Sequence, residues 1–166
     1  QHRLINANYY SATEADAARL LKYAANASIP ERQRIEALAA IEGWNDNHKM
    51  SNTTGLLRPQ PAKRADISAT VKANAAAVFE TAKGKVLALV TRTASKYGYE
   101  IASDILTTQL LDPEVSTEVR FEAFNSLLKR NEKGFDATVT SLLKDENQTI
   151  KNKALEALVK LNPSEG

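Results

Sequence analysis

The sequence predicts an all-α fold, an α-α superhelix (solenoid) of about four helical hairpins with one long inserted loop. Alanine supplies 26 of the 166 residues and glycine only 6, a balance that favours helix over strand. Apolar residues recur at helical spacing in eight short segments, and one five-point frame is repeated in three of them. At 43% hydrophobic and 25% charged, the chain has the composition of an ordinary folded domain, long enough for a core without disulfides or structural metal.

Arg3 to Tyr10 reads as the tail of a helix. Ser11-Ala12-Thr13-Glu14 reads as a capping box, with Ser11 capping and Glu14 reaching back. Behind it, Ala17, Leu20, Leu21 and Ala24 define a helix over about 12–26. Pro30, at a first-turn position, opens the next over about 30–42, with Ile35, Leu38 and Ile41 inward and Gly43 as its stop. From 43 to 65 the periodicity disappears, and this segment is the inserted loop. Asp66 caps a helix over about 67–82, carrying Val71, Ala75, Val78, Phe79 and Ala82 on one stripe. Gly84 separates it from a helix over Val86 to Lys96, and Tyr97-Gly98-Tyr99 marks a turn. The remaining helices are expected at about 100–111, Val115 to Arg130, about 135–144 and about 150–161, with breaks at Asp112-Pro113, Gly134 and Asp145 to Thr149. The hairpins are therefore about 12–42, 66–97, 100–130 and 134–161, within a single repeat domain.

Three second helices align without gaps. They read Gln33-Arg34-x-x-Ala37-x-x-Ala40-Ile41, Val119-Arg120-x-x-Ala123-x-x-Ser126-Leu127 and Ile150-Lys151-x-x-Ala154-x-x-Ala157-Leu158. Each follows a Leu-Leu pair: Leu20-Leu21, Leu110-Leu111 and Leu142-Leu143. Val119 and Ile150 are 31 residues apart, and the first copy lies 86 residues before the second, which leaves room for the degenerate 66–97 hairpin. A pair of short helices cannot bury its apolar faces alone, so such hairpins stack. The small residues at Ala37, Ala123 and Ala154 permit close helix approach, and Arg34, Arg120 and Lys151 sit at the inter-helix turn. There they can bond carbonyls or an acidic residue of a neighbouring hairpin.

The Leu-Leu, turn, Val-Arg-x-x-Ala-x-x-Ala-Leu pattern resembles the HEAT repeat, the unit of armadillo-like α-solenoids, over about 12–42 and 100–161 and more weakly over 66–97. HEAT-like folds serve as scaffolds, in nucleic-acid repair and in modification enzymes alike, so the resemblance implies architecture before activity. A second resemblance rests on Pro30-Glu31-Arg32, Ile35 to Ile41, Gly43-Trp44 and Gly55-Leu56-Leu57-Arg58-Pro59. It is to the helical-repeat region of large bacterial exported proteins that combine a sugar-dehydrogenase-like β-propeller with a c-type cytochrome domain. The resemblance implies a periplasmic or cell-surface location and a solenoid packed on redox domains. No Cys-x-x-Cys-His haem attachment occurs here, and Asn45-Asp46-Asn47-His48 departs from the Pro-containing loop of that family, so its chemistry is not carried over. The chain, opening on Gln1, is expected to be a piece of a longer protein.

Lys and Arg number 22 against 20 Asp and Glu, a formal charge of +2, with cations scattered along the chain. A nucleic-acid-binding HEAT-like repair protein is the alternative reading, and this balance argues against its electrostatic footprint. No apolar run approaches the roughly 20 residues that span a bilayer. The absence of cysteine excludes disulfides, thiolate zinc sites and a Cys nucleophile. No catalytic constellation, cofactor site or metal site is expected: His2 is terminal, and Asp46 with His48 supplies too few ligands. Glu36, Glu122 and Glu156 lie near equivalent repeat positions, which explains their recurrence without catalysis. Trp44, His48 and Arg58 in the long loop are the interaction candidates. Trp44 either plugs the gap between the first two hairpins and anchors the loop, or helps the loop meet a neighbouring domain. The expected function is a noncatalytic scaffold or docking module whose partners are proteins or neighbouring domains.

Overall fold

The computed structural model describes residues 2–46, 63–130 and 134–161. Among them are nine α-helices and no strand. They are α1 (His2–Ser11), α2 (Glu14–Ala25), α3 (Glu31–Glu42), α4 (Ser68–Thr81), α5 (Gly84–Lys96), α6 (Ser103–Leu111), α7 (Thr117–Arg130), α8 (Phe135–Leu142) and α9 (Gln148–Leu161). They form two compact units, Gln1–Glu100 and Ile101–Gly166.

In the first unit α2–α3 and α4–α5 are hairpins. Their first helices, α2 and α4, pack together, as do their second helices, α3 and α5, while α1 lies against both α2 and α3. The core between them holds Ile5, Tyr9, Leu20, Leu21, Leu38, Ile41, Trp44, Val71, Val78 and Val90. In the second unit α6–α7 and α8–α9 are the hairpins, and α7 packs on α9. Leu106, Leu110, Phe124, Leu127, Phe135, Val139, Leu142 and Ile150 fill its interior. The rings of Phe124 and Phe135 meet edge to face, with centroids 5.5 Å apart.

The repeat frame has a physical counterpart. Ala37, Ala123 and Ala154 are each 0% exposed, on the buried face of the second helix. Arg34 Nε donates to the Ala24 carbonyl at 2.6 Å, and Arg120 Nε to the Leu110 carbonyl at 2.8 Å. Each acceptor is the penultimate residue of the hairpin's first helix, where carbonyls lack intrahelical donors. The other guanidinium nitrogens reach forward. Arg34 donates to the Thr81 carbonyl at 3.3 Å and to its Oγ1 at 2.7 Å, at the end of α4. Arg120 forks onto both carboxylate oxygens of Asp145, just past α8. One side chain thus closes its own hairpin and fastens the next.

Several boundaries differ from the expectation for local reasons. Ser11 is the last residue of α1, and Ala12 takes a left-handed conformation (φ 60) that ends that helix. The cap of α2 is therefore Thr13 with Asp16, not Ser11 with Glu14. Thr13 Oγ1 accepts from Asp16 N at 3.2 Å, and Asp16 Oδ2 accepts from Thr13 N at 3.1 Å. Asp66 lies one residue outside the cap of α4, which is Ile67, and accepts from Ser68 N and Oγ at 2.9 and 2.7 Å. Pro30 is the cap of α3 rather than its first-turn residue. Helix α5 starts at Gly84 itself, whose φ of +48 suits glycine. Gly98 (φ +71) ends α5 with paired bonds, Gly98 N to Ser95 O at 3.2 Å and Tyr99 N to Ala94 O at 2.9 Å.

Candidate functional site

The described chain stops at Asp46 and resumes at Lys63, on either side of the segment expected to be a long loop. Both ends are fastened to the same small region around α1. Trp44 is 0% exposed, and its indole Nε1 donates to the Ala65 carbonyl at 2.9 Å, joining the outgoing strand of chain to the returning one. Ala65 N in turn donates to the Ala12 carbonyl at 3.1 Å. The Tyr9 hydroxyl, from α1, lies 3.1 Å from the Gly43 carbonyl and 2.9 Å from the Asp46 carbonyl, so it can donate to either. Arg64 closes the ring of contacts: its Nη1 donates to the Tyr9 carbonyl at 2.7 Å, and its guanidinium carbon lies 4.0 Å from the Tyr9 ring centroid and 5.4 Å from that of Trp44. The Tyr9 and Trp44 rings stand edge to face at 6.1 Å.

Helix α5 supports this clamp from below the end of α3. The Tyr97 hydroxyl donates to the Ile41 carbonyl at 2.9 Å. Lys96 donates to the Glu42 carbonyl, while Arg92 forks onto the Glu42 carboxylate. The last carbonyls of α3, which have no helical partner, are therefore met by side chains of the following hairpin. Burial pushes the Tyr97 phenol up to about 12, and the nearby Asp46, Asp66 and Glu42 carboxylates add to the shift. Tyr9 is also raised by burial, against the opposing pull of Arg64.

Of the loop residues singled out from the sequence, Trp44 is in this clamp and enclosed by protein. His48 and Arg58 lie outside the described residues. Of the frame residues, Arg34 and Arg120 each bond a carbonyl of the preceding helix, Ala37, Ala123 and Ala154 are fully buried, and Lys151 is half-buried on α9. Sequence reasoning missed Tyr9, Arg64 and Tyr97 as clamp members and Thr81 and Asp145 as acceptors. The adjacent Lys63-Arg64 pair and the tyrosines at hairpin edges, Tyr9, Tyr10, Tyr97 and Tyr99, were the available signals, and none of them linked α1 to the loop's return. Among the described residues, no three His, Cys, Asp or Glu side chains gather as a metal shell would, and no helix is long and apolar enough to cross a membrane. No family model, curated protein or solved structure matches the chain.

Proposed function

We propose that this chain is a noncatalytic HEAT-like scaffold that docks a protein or a neighbouring domain through the long loop. The observation that carries the reading is the clamp: Trp44, Tyr9 and Arg64 hold the chain on both sides of residues 47–62 against packed helices. A binding loop on a rigid support is the usual division of labour between variable and structural parts. The matched bonds of Arg34 and Arg120 support the repeat architecture. By its resemblance to exported repeat regions, the setting is a periplasmic or cell-surface redox protein, with the β-propeller or cytochrome domain as the docked surface.

A photo-cross-linking amino acid at position 58, with one at the exposed Glu146 as control, tests this in the protein's native host. The expected result is a cross-link from position 58 to a propeller-like or haem-bearing domain, absent from position 146. Cross-links that are equal at the two positions, or confined to the chain itself, would overturn the reading.

A further inference from the structure

The repeat frame allows the same helix stripe to be compared in three hairpins. In α3 it is Arg34, Leu38, Ile41 and Glu42; in α7, Arg120, Phe124, Leu127 and Leu128; in α9, Lys151, Leu155, Leu158 and Val159. The first two stripes are covered by the hairpin that follows. Leu38 is 0% exposed and shares a core with Val86, Leu89 and Val90 of α5. Glu42 is held by Arg92 and Lys96 of the same helix. Phe124 is 1% exposed and meets Phe135 of α8, while Arg120 binds Asp145.

The third stripe begins with the same order, a cation followed by two large apolar residues, and has a different fate. Leu155 is 50% exposed and Val159 69%, although Leu155 matches two of the most enclosed side chains in the protein. These are aliphatic residues one helical turn apart, beside a cation at the place of Arg34 and Arg120. Stacking hairpins bury this stripe wherever a successor is seated on it.

We propose that the Lys151–Leu155–Leu158–Val159 face of α9 is a docking surface for a further helical hairpin. The chemistry of the occupant follows from the α7–α8 contact, where Phe135 meets Phe124, and from the acceptors that Arg34 and Arg120 find in the hairpin that follows each. Its first helix begins with an aromatic or large aliphatic residue that covers Leu155, as Phe135 covers Phe124. That helix ends at a carboxylate or hydroxyl that accepts from Lys151, as Asp145 and Thr81 accept from Arg120 and Arg34. The surface shares no residue with the loop clamp, and its role stands or falls independently of the docking assigned to the loop.

The probe is the chain with residues 131–161 repeated once directly after Leu161, which reproduces the 31-residue spacing between Val119 and Ile150. The added copy supplies Phe135 and Asp145 for Leu155 and Lys151. Amide exchange over Leu155–Val159 is expected to slow at least about tenfold relative to the unextended chain. Lys151→Met should reverse part of that protection in the extended chain and have little effect in the unextended one. In the unextended chain, L155K with V159K should leave helix content and midpoint close to those of the parent, whereas L38K should not. Four results would overturn the proposal: an added hairpin that stays unfolded on an intact chain, unchanged exchange at Leu155, collapse of the unextended double variant, or a concentration-dependent dimer of the unextended chain that L155K abolishes. The last would make a second copy the occupant.

Discussion

Arg120 and Asp145 join the third hairpin to the fourth through a fork of two N–H donors on one carboxylate, Nη1 to Oδ1 at 3.2 Å and Nη2 to Oδ2. The Arg120 side chain is 3% exposed and that of Asp145 14%, so neither charge is well served by water. Removing one partner of such a pair leaves the other stranded, at a cost of about 3–5 kcal/mol.

Arg120→Met is therefore expected to lower the stability of the second unit by about 3 kcal/mol, read as a shift in the urea midpoint. Arg120→Met combined with Asp145→Leu should recover at least part of the loss, because the stranded carboxylate is gone. Arg120→Lys should not rescue, since an ammonium cannot meet the Leu110 carbonyl and fork onto Asp145 at once. A double variant as unstable as the single one would show that the Leu110 bond, not the ion pair, dominates.

Asp145 also sets an acid limit. Burial acts to raise its carboxyl, but hydrogen bonds from Arg120 and from Asn147 N, with the charges of Arg120 and Lys151, outweigh that and hold it below the ordinary 3.8. A depressed folded value means that the unfolded state takes up the proton first. The contribution is complete above the unfolded value and is lost as pH falls below it and through the folded one. Asp145→Asn should flatten the pH dependence of stability below about pH 4, and a stability profile across pH 2–6 measures it. Asp16, held below its usual value by Thr13, Ser11 and Arg19 despite burial, gives the first unit a similar dependence.

Tyr97 works in the opposite range. Its neutral phenol is favoured by burial, with a folded value of about 12 against 10.0 for the exposed group. Its stabilisation is present below pH 10 and fades as pH rises from there toward 12. Ultraviolet titration should show Tyr97 and Tyr9 ionising later than the ordinary phenol, and Tyr97→Phe should remove one late step while destabilising the first unit by about 1 kcal/mol through loss of the Ile41 bond.

Trp44 is the only tryptophan, which makes it a built-in reporter of the clamp. Enclosed as it is, its emission should be blue-shifted and weakly quenched by acrylamide. Arg64→Ala removes the bond to the Tyr9 carbonyl and the cation over both rings, and should raise the quenching constant at least about twofold through more frequent local opening. Trp44→Phe keeps the apolar bulk but leaves the Ala65 carbonyl without its indole donor, an expected loss of about 1–2 kcal/mol by urea unfolding.

Helix positions and the repeat frame were readable because both are written in local spacing. Ala37, Ala123 and Ala154 announce close packing, and Arg34 and Arg120 announce the inter-helix turn. What the spacing does not contain is the identity of distant acceptors. Thr81 and Asp145 do the same job in two hairpins with different chemistry, so no motif links them. The cap of α2 shows the same limit. Ser11-x-x-Glu14 and Thr13-x-x-Asp16 overlap, and the choice falls to Ala12, whose left-handed turn is fixed by tertiary contacts such as the Ala65 bond. The clamp joins residues of α1 to residues more than fifty positions later, as Arg64 on Tyr9 illustrates, and no periodicity registers that.

Fastening the chain on both sides of residues 47–62 in one place also couples those two sides. Trp44 and Ala65 are tied directly, so a change at either end of the clamp is felt at the other. The Trp44–Ala65 bond is thus a rivet: Asp46 and Lys63 are held near one another by contacts that α1, α3 and α5 supply themselves.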